Sequence, residues 1–190
     1  MHCVAGDGVG ILAGAVIASI FHLSKVADIS LEYALGFAFG WSIFQALFMR
    51  SMMAVGSYRR SLTSTFFPEL LSMNCLMAGM VPVMTLAMKS VSAGHDPSRP
   101  AFWFIMSMAL LFGFITAYPM NWWLVSHHLK HGMLTVRPPG ERSGGLQEKG
   151  EMVMDDGAKP VSNILLAGMT LLSFLIFGLG LSVAIAFGGL

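Results

Sequence analysis

From Pro160 to Leu190 the chain carries no charged side chain. A run of that length, at about 1.5 Å per helical residue, crosses a hydrocarbon layer of roughly 30 Å with residues to spare. Inside lipid each backbone N–H and C=O must find its partner within the segment, so such a run is helical. Pro160, Ser162 and Asn163 supply helix-start chemistry just before it.

Four earlier stretches have the same character, and the five spans are placed at 5–24, 33–55, 67–89, 101–127 and 162–188. The first begins after Asp7, with no Lys or Arg ahead of it and no small-residue cleavage site behind it, so it reads as a span and not as a signal peptide. Composition agrees: 11% of the residues are charged, where a soluble domain has about 25%. The expected fold is therefore an all-α integral membrane bundle of about five transmembrane helices, one domain over residues 1–190 whose partner is the lipid bilayer. A formal net charge of +1 offers no field for nucleic acid. Cys3 and Cys75 lie in different apolar segments and form neither a disulfide framework nor a CxxC motif.

Residues 132–160 contain Pro138, Pro139, Gly140, Gly144, Gly145 and nine charged side chains of nearly balanced sign, which makes them a flexible solvated linker. Arg50, Arg59, Arg60, Lys130, Arg137, Arg142, Lys149 and Lys159 fall on one side of the expected topology, and Lys25, Lys89 and Arg99 on the other. Positively charged loops stay in the cytoplasm, so the N-terminus and the linker are expected inside and the C-terminus outside. Phe102 and Trp103 would mark the outer interface of the fourth span, and Trp122 and Trp123 the inner one, about 30 Å away along the helix.

Lipid gives helices little apolar reason to associate, so contacts are sought where small residues let backbones approach. Gly6, Gly10, Gly14 and Ala18 line one face of the first span; Gly36 with Gly40, and Gly180 with Ala184 and Gly188, repeat the pattern. These faces are assigned to packing within the bundle, with association to a homo-oligomer or another membrane protein as the alternative.

Methionine occurs 16 times, and Met73, Met77, Met80, Met84 and Met88 form one stripe along the third span, which Glu69 extends. Met49, Met52 and Met53 cluster near the end of the second span. Thioethers are soft, uncharged donors able to hold Cu(I) without burying formal charge; they are equally flexible apolar filler for helix contacts. His127, His128 and His131 form a second constellation, with His127 and His131 one turn apart and able to share a metal, or serving simply as interfacial histidines. On the opposite side, His22 near Lys25, Asp28 and Glu32, and His95 before Asp96, read as a cation-capture site or as solvated loops.

Polar residues within the spans are Glu69, Asn74, Gln45, Ser72 and Asn121, and such residues turn toward other helices or water. Glu69 follows Pro68, which is placed in a first helical turn, so its carboxylate complements a helix N-terminus or serves as a proton or cation site. Pro82 and Pro119 each delete a helical hydrogen bond and free carbonyls near Ala78 and Ile115. HExxH, GxSxG and Walker patterns are missing, and the segment Gly6–Gly10 lacks the βαβ context of a dinucleotide site, so no catalytic residue or bound cofactor is assigned and the chain is not read as an enzyme.

The string Tyr118-Pro119-Met120-Asn121-Trp122-Trp123-Leu124, with Pro100–Phe104 and Gly113–Ala117 before it, resembles a bacterial multi-pass membrane family catalogued as domain of unknown function number 4396. The resemblance takes in Gly36–Gly40, Met49-Arg50, Glu69, Ser72 and Gly79-Met80, roughly residues 25–133. It implies a small helical protein of the bacterial cytoplasmic membrane, sometimes beside copper-handling neighbours, with an acidic residue near Glu69 and a polar or acidic one where this chain has Met77. The combined expectation is binding or passage of a soft metal ion, above all Cu(I), along the methionine face. The rival readings are a non-catalytic accessory subunit of a larger membrane complex and a proton-coupled transporter that uses a buried Glu69.

Overall fold

The computed structural model describes residues 2–47, 58–91, 94–127, 129 and 163–188. All regular structure among them is helical: α1 (His2–Ile20), α2 (Lys25–Ala38), α3 (Tyr58–Ser90), α4 (Pro100–Ser126) and α5 (Asn163–Val183). α2 runs on as a π-helical stretch, Phe39–Leu47, and α5 closes with another, Ala184–Gly188. Among the described residues three segments are long and apolar enough to cross a membrane, Thr65–Ser90, Pro100–Ser126 and Ile164–Gly188, and Val4–Ile20 is a shorter apolar helix. The linker at 132–160 lies outside the described residues.

The helix limits show where local chemistry overrides composition. α1 stops at Ile20, ahead of the expected 24, because the chain turns there: Leu23 N–H donates to the Ala18 carbonyl at 3.0 Å and His22 takes φ 49°. α2 starts eight residues before the expected 33, because the Ser24 hydroxyl accepts from the Ala27 N–H and caps it. The charged residues Lys25, Asp28 and Glu32, which resembled a loop, are the first turns of this helix. α3 begins at Tyr58, well before 67, and passes through Pro68 as well as Pro82. Proline forfeits its own bond to residue i−4 but leaves the flanking turns intact, so Pro68 is an interior residue and not a helix start. α4 and α5 lie where expected.

Two contacts fix the relative direction of the helices. The Ser19 hydroxyl donates to the His95 carbonyl at 2.7 Å, and Lys89 Nζ donates to the Phe187 carbonyl at 3.1 Å. The C-terminal ends of α1, α3 and α5 therefore share one end of the bundle, which places Lys25, Lys89 and Arg99 together as their alternation in sequence implies.

α3 is the hub. Residues Leu71–Ala78 are buried on every side, and other helices cover separate faces of it. Against α4, Gly113 sits on the Leu76 backbone and Met80, while the Thr116 hydroxyl donates to the Cys75 carbonyl at 2.8 Å. Against α5, Gly180 rests on the Ala78 backbone, with Ala78 Cα 2.7 Å from where a Gly180 Cβ would stand, and Gly188 meets Thr85. The Ala78 carbonyl is the one that Pro82 frees, so glycine seats α5 over the gap that proline opens. α1 and α2 cross antiparallel, Gly10 against Leu35 and Gly36, and Gly14 against Glu32. The small-residue faces thus pack within the bundle.

α4 turns Phe102, Ile105, Met106, Ala109, Gly113, Ala117, Met120 and Leu124 inward. Its other face presents Phe104, Ile115, Tyr118 and Trp122 outward. Phe102 is therefore a core residue and not part of an interfacial belt, whereas Trp103 stays half exposed with its indole N–H on the Pro97 carbonyl.

Candidate functional site: a carboxyl pair inside the bundle

Asp7 on α1 and Glu69 on α3 are both fully buried. Each comes from an apolar helix, and the point where they meet is made by a third element, the π-helical continuation of α2. Asp7 Oδ1 stands where a Gly40 Cβ would be, and Glu69 Oε1 lies 2.8 Å from that same position. Only glycine leaves this space open. Gly40 is the second residue of the π-helical stretch, and π-turns are frequent at functional sites. Among the described residues no group of three His, Cys, Asp or Glu side chains gathers to hold a metal ion.

Asp7 is not among the polar residues that the sequence singles out, where it stands as the boundary before the first span. The signal that could have found it is its position, a carboxylate between glycines on the small-residue face of an apolar helix, where burial and not capping is the outcome. Glu69 is corrected as well. It lies in the middle of α3 and not in a first turn, so complementing a helix N-terminus is not its role.

Glu32, read with His22, Lys25 and Asp28 as part of an exposed cluster, is instead fully buried under α1. His22, Lys25 and His95 are exposed. Asp96, in the turn before α4, accepts from the Ser98 hydroxyl at 2.7 Å and the Ser98 N–H at 2.9 Å. Those bonds hold its carboxyl below the usual carboxylate range.

The intramembrane amides tie helices together. Tyr33 Oη donates to Asn74 Oδ1 at 2.7 Å, Asn74 Nδ2 donates to Ser173 Oγ at 3.2 Å, and Ser173 Oγ donates to the Thr170 carbonyl, a chain that joins α2, α3 and α5. Asn121 Nδ2 donates to Ser72 Oγ at 2.8 Å and links α4 to α3. Gln45 lies on the π-helical stretch after α2.

Met73, Met77, Met80, Met84 and Met88 are all buried, at 0–8% exposure, and share one core with Met106 and Met120 of α4. The stripe faces protein along its whole length. The Met73 methyl reaches Gly36, one turn from Gly40, so the stripe leads up to the carboxyl pair. Met49, Met52, Met53, His128 and His131 lie outside the described residues. His127 closes α4: its ring packs on Trp123 and Nδ1 lies 2.9 Å from the Trp123 carbonyl.

The model for a domain of unknown function, DUF4396, matches residues 1–130. The chain belongs to this family. The match begins earlier than the resemblance read from the sequence and includes α1, so the family's domain contributes both Asp7 and Glu69, with Gly40 and the methionine stripe. α5 lies beyond it. No curated protein and no solved structure matches the chain.

Proposed function

We propose that the protein is a proton-coupled membrane transport protein in which Asp7 and Glu69 take up and release the proton. The observation that carries this reading is the convergence of the two buried carboxyl groups on Gly40 from separate helices. An ionisable group in a membrane interior is expensive and marks an ion or proton path.

Purified protein in vesicles, with an imposed pH gradient and a pH-sensitive dye inside, tests the reading. Asp7→Asn and Glu69→Gln are each expected to slow proton uptake by about tenfold or more, since each leaves a single carboxyl group in the apolar interior. Uptake at the wild-type rate in both folded variants overturns it.

The inward-facing methionines favour a specific cargo, a soft metal ion such as Cu(I), passing along Met73, Met77, Met80, Met84 and Met88, with His127 at the C-terminal end of α4. A stripe turned to lipid could not serve this purpose, and this stripe is buried. Met77→Leu, Met80→Leu and Met84→Leu combined keep much of the volume and remove the sulfur, at a cost of under about 1.5 kcal/mol for each exchange. Protein from copper-supplemented cells is expected to carry about one copper per chain and the folded variant none, by mass spectrometry. Copper absent from both would leave the accessory-subunit reading as the stronger account of the methionine core.

A further inference from the structure

The carboxyl pair does not use Glu32, the third fully buried acid among the described residues. Both Glu32 carboxyl oxygens are buried without a hydrogen-bond partner. Its position is specific. Gly14 of α1 stands so close that a Cβ there would lie 2.9 Å from Glu32 Cα. Glu32, Gly36 and Gly40, spaced four residues apart, form three successive rungs against Gly14, Gly10 and Asp7.

The charged groups around it are few. On its own helix Asp28 lies one turn before it, with one oxygen also buried and unbonded, and Lys25 and Tyr33 flank it. From α1 the nearest described acid is Asp7, two rungs away, with exposed His22 beyond the helix end; from α3 the acid is Glu69, beside Asp7. None of the described hydrogen bonds or ion pairs brings a cation to Glu32.

We infer that Glu32 is a second proton-binding site, distinct from the Asp7–Glu69 pair, and that its proton holds α1 against α2. A neutral carboxyl group fits the dry crossing at Gly14. An ionised one must reach water, and with α1 this close water reaches it only when the two helices part. The proton therefore acts as a latch on the α1–α2 crossing, closed when bound and open when lost. This site stands whether or not the carboxyl pair carries protons.

The sign follows from linkage. The closed state binds a proton that the open, hydrated state releases at an ordinary carboxylate value, so the latch is strongest at low pH and weakens as pH rises through the closed-state value. In hydrogen exchange on the full chain in lipid, corrected for intrinsic rates, protection of the Gly10–Gly14 amides is expected to fall by about tenfold per pH unit over that range. In Glu32→Gln, and in Glu32→Leu as a second variant that removes the polar group altogether, protection should be independent of pH, while Glu69→Gln should retain the wild-type slope. The infrared spectrum of the wild type minus that of Glu32→Gln should show a protonated-carboxyl C=O band at neutral pH. A wild-type slope in the folded Glu32 variants, or a band unchanged by Glu32→Gln, overturns the inference. Wild-type proton uptake in Asp7→Asn and Glu69→Gln would overturn the proposed function without touching this one.

Discussion

Glycine at one position can be a requirement and at another a weakness, and this chain holds both kinds. At Gly40 a methyl group would collide with Asp7 and Glu69; at Gly178 nothing lies within 4 Å of the added atom. Gly40→Ala should destabilise the fold by about 1–3 kcal/mol through overpacking. Gly178→Ala should stabilise it by up to about 1 kcal/mol through helix propensity. Thermal unfolding in detergent, with both variants beside the parent, gives the two signs. Asp96 supplies a pH effect of opposite direction to Glu32. Its carboxyl is held low by Ser98, so its contribution to the turn before α4 is complete above the ordinary carboxylate range and fades as pH falls through the lowered value. Exchange protection at the Ser98 amide should drop in acid, and Asp96→Asn should make it insensitive to pH. The Asp-x-Ser spacing was visible in the sequence, but its bonds belong to the turn geometry.

Helix α5 shows how an element lying beyond the family match is fastened to the rest. It touches α3 through Gly180 and Gly188 and through the Asn74–Ser173 hydrogen bond, while most of its side chains, Leu171, Leu175 and Leu179 among them, stay exposed. The path Tyr33–Asn74–Ser173 predicts coupling between residues far apart in sequence. Tyr33→Phe and Ser173→Ala, each deleting one bond to the same amide, should show an interaction energy of about 0.5–1.5 kcal/mol in a double-mutant cycle. Additive effects would mean that the two bonds are energetically independent. The existence of α5 was plain from its uncharged length. Its partner was not, because a Gly/Ala face specifies a close approach without naming the surface approached.

At the scale of the whole molecule, the described helices turn many large apolar side chains outward while Asp7, Glu32, Glu69 and Asn74 are buried, the distribution expected of a bundle solvated by lipid. Trp122 is 67% exposed on α4, whereas Trp41 lies among Phe37 and Phe66. In vesicles of brominated lipid, a variant retaining Trp122 alone should be strongly quenched and one retaining Trp41 alone only weakly; equal protection of both would mean that protein covers the α4 face, as an accessory subunit would require. The sequence by itself determined the helical class, the places of the last two helices and the methionine periodicity, because long apolar runs and a repeat of 3.6 residues are local properties. Only the tertiary structure decided that Asp7, Glu32 and Glu69 are interior groups, that Pro68 lies inside a helix, and that the methionine stripe faces protein. Burial depends on which helix covers a side chain, and that is settled by how closely the glycine faces of distant segments allow their backbones to pack.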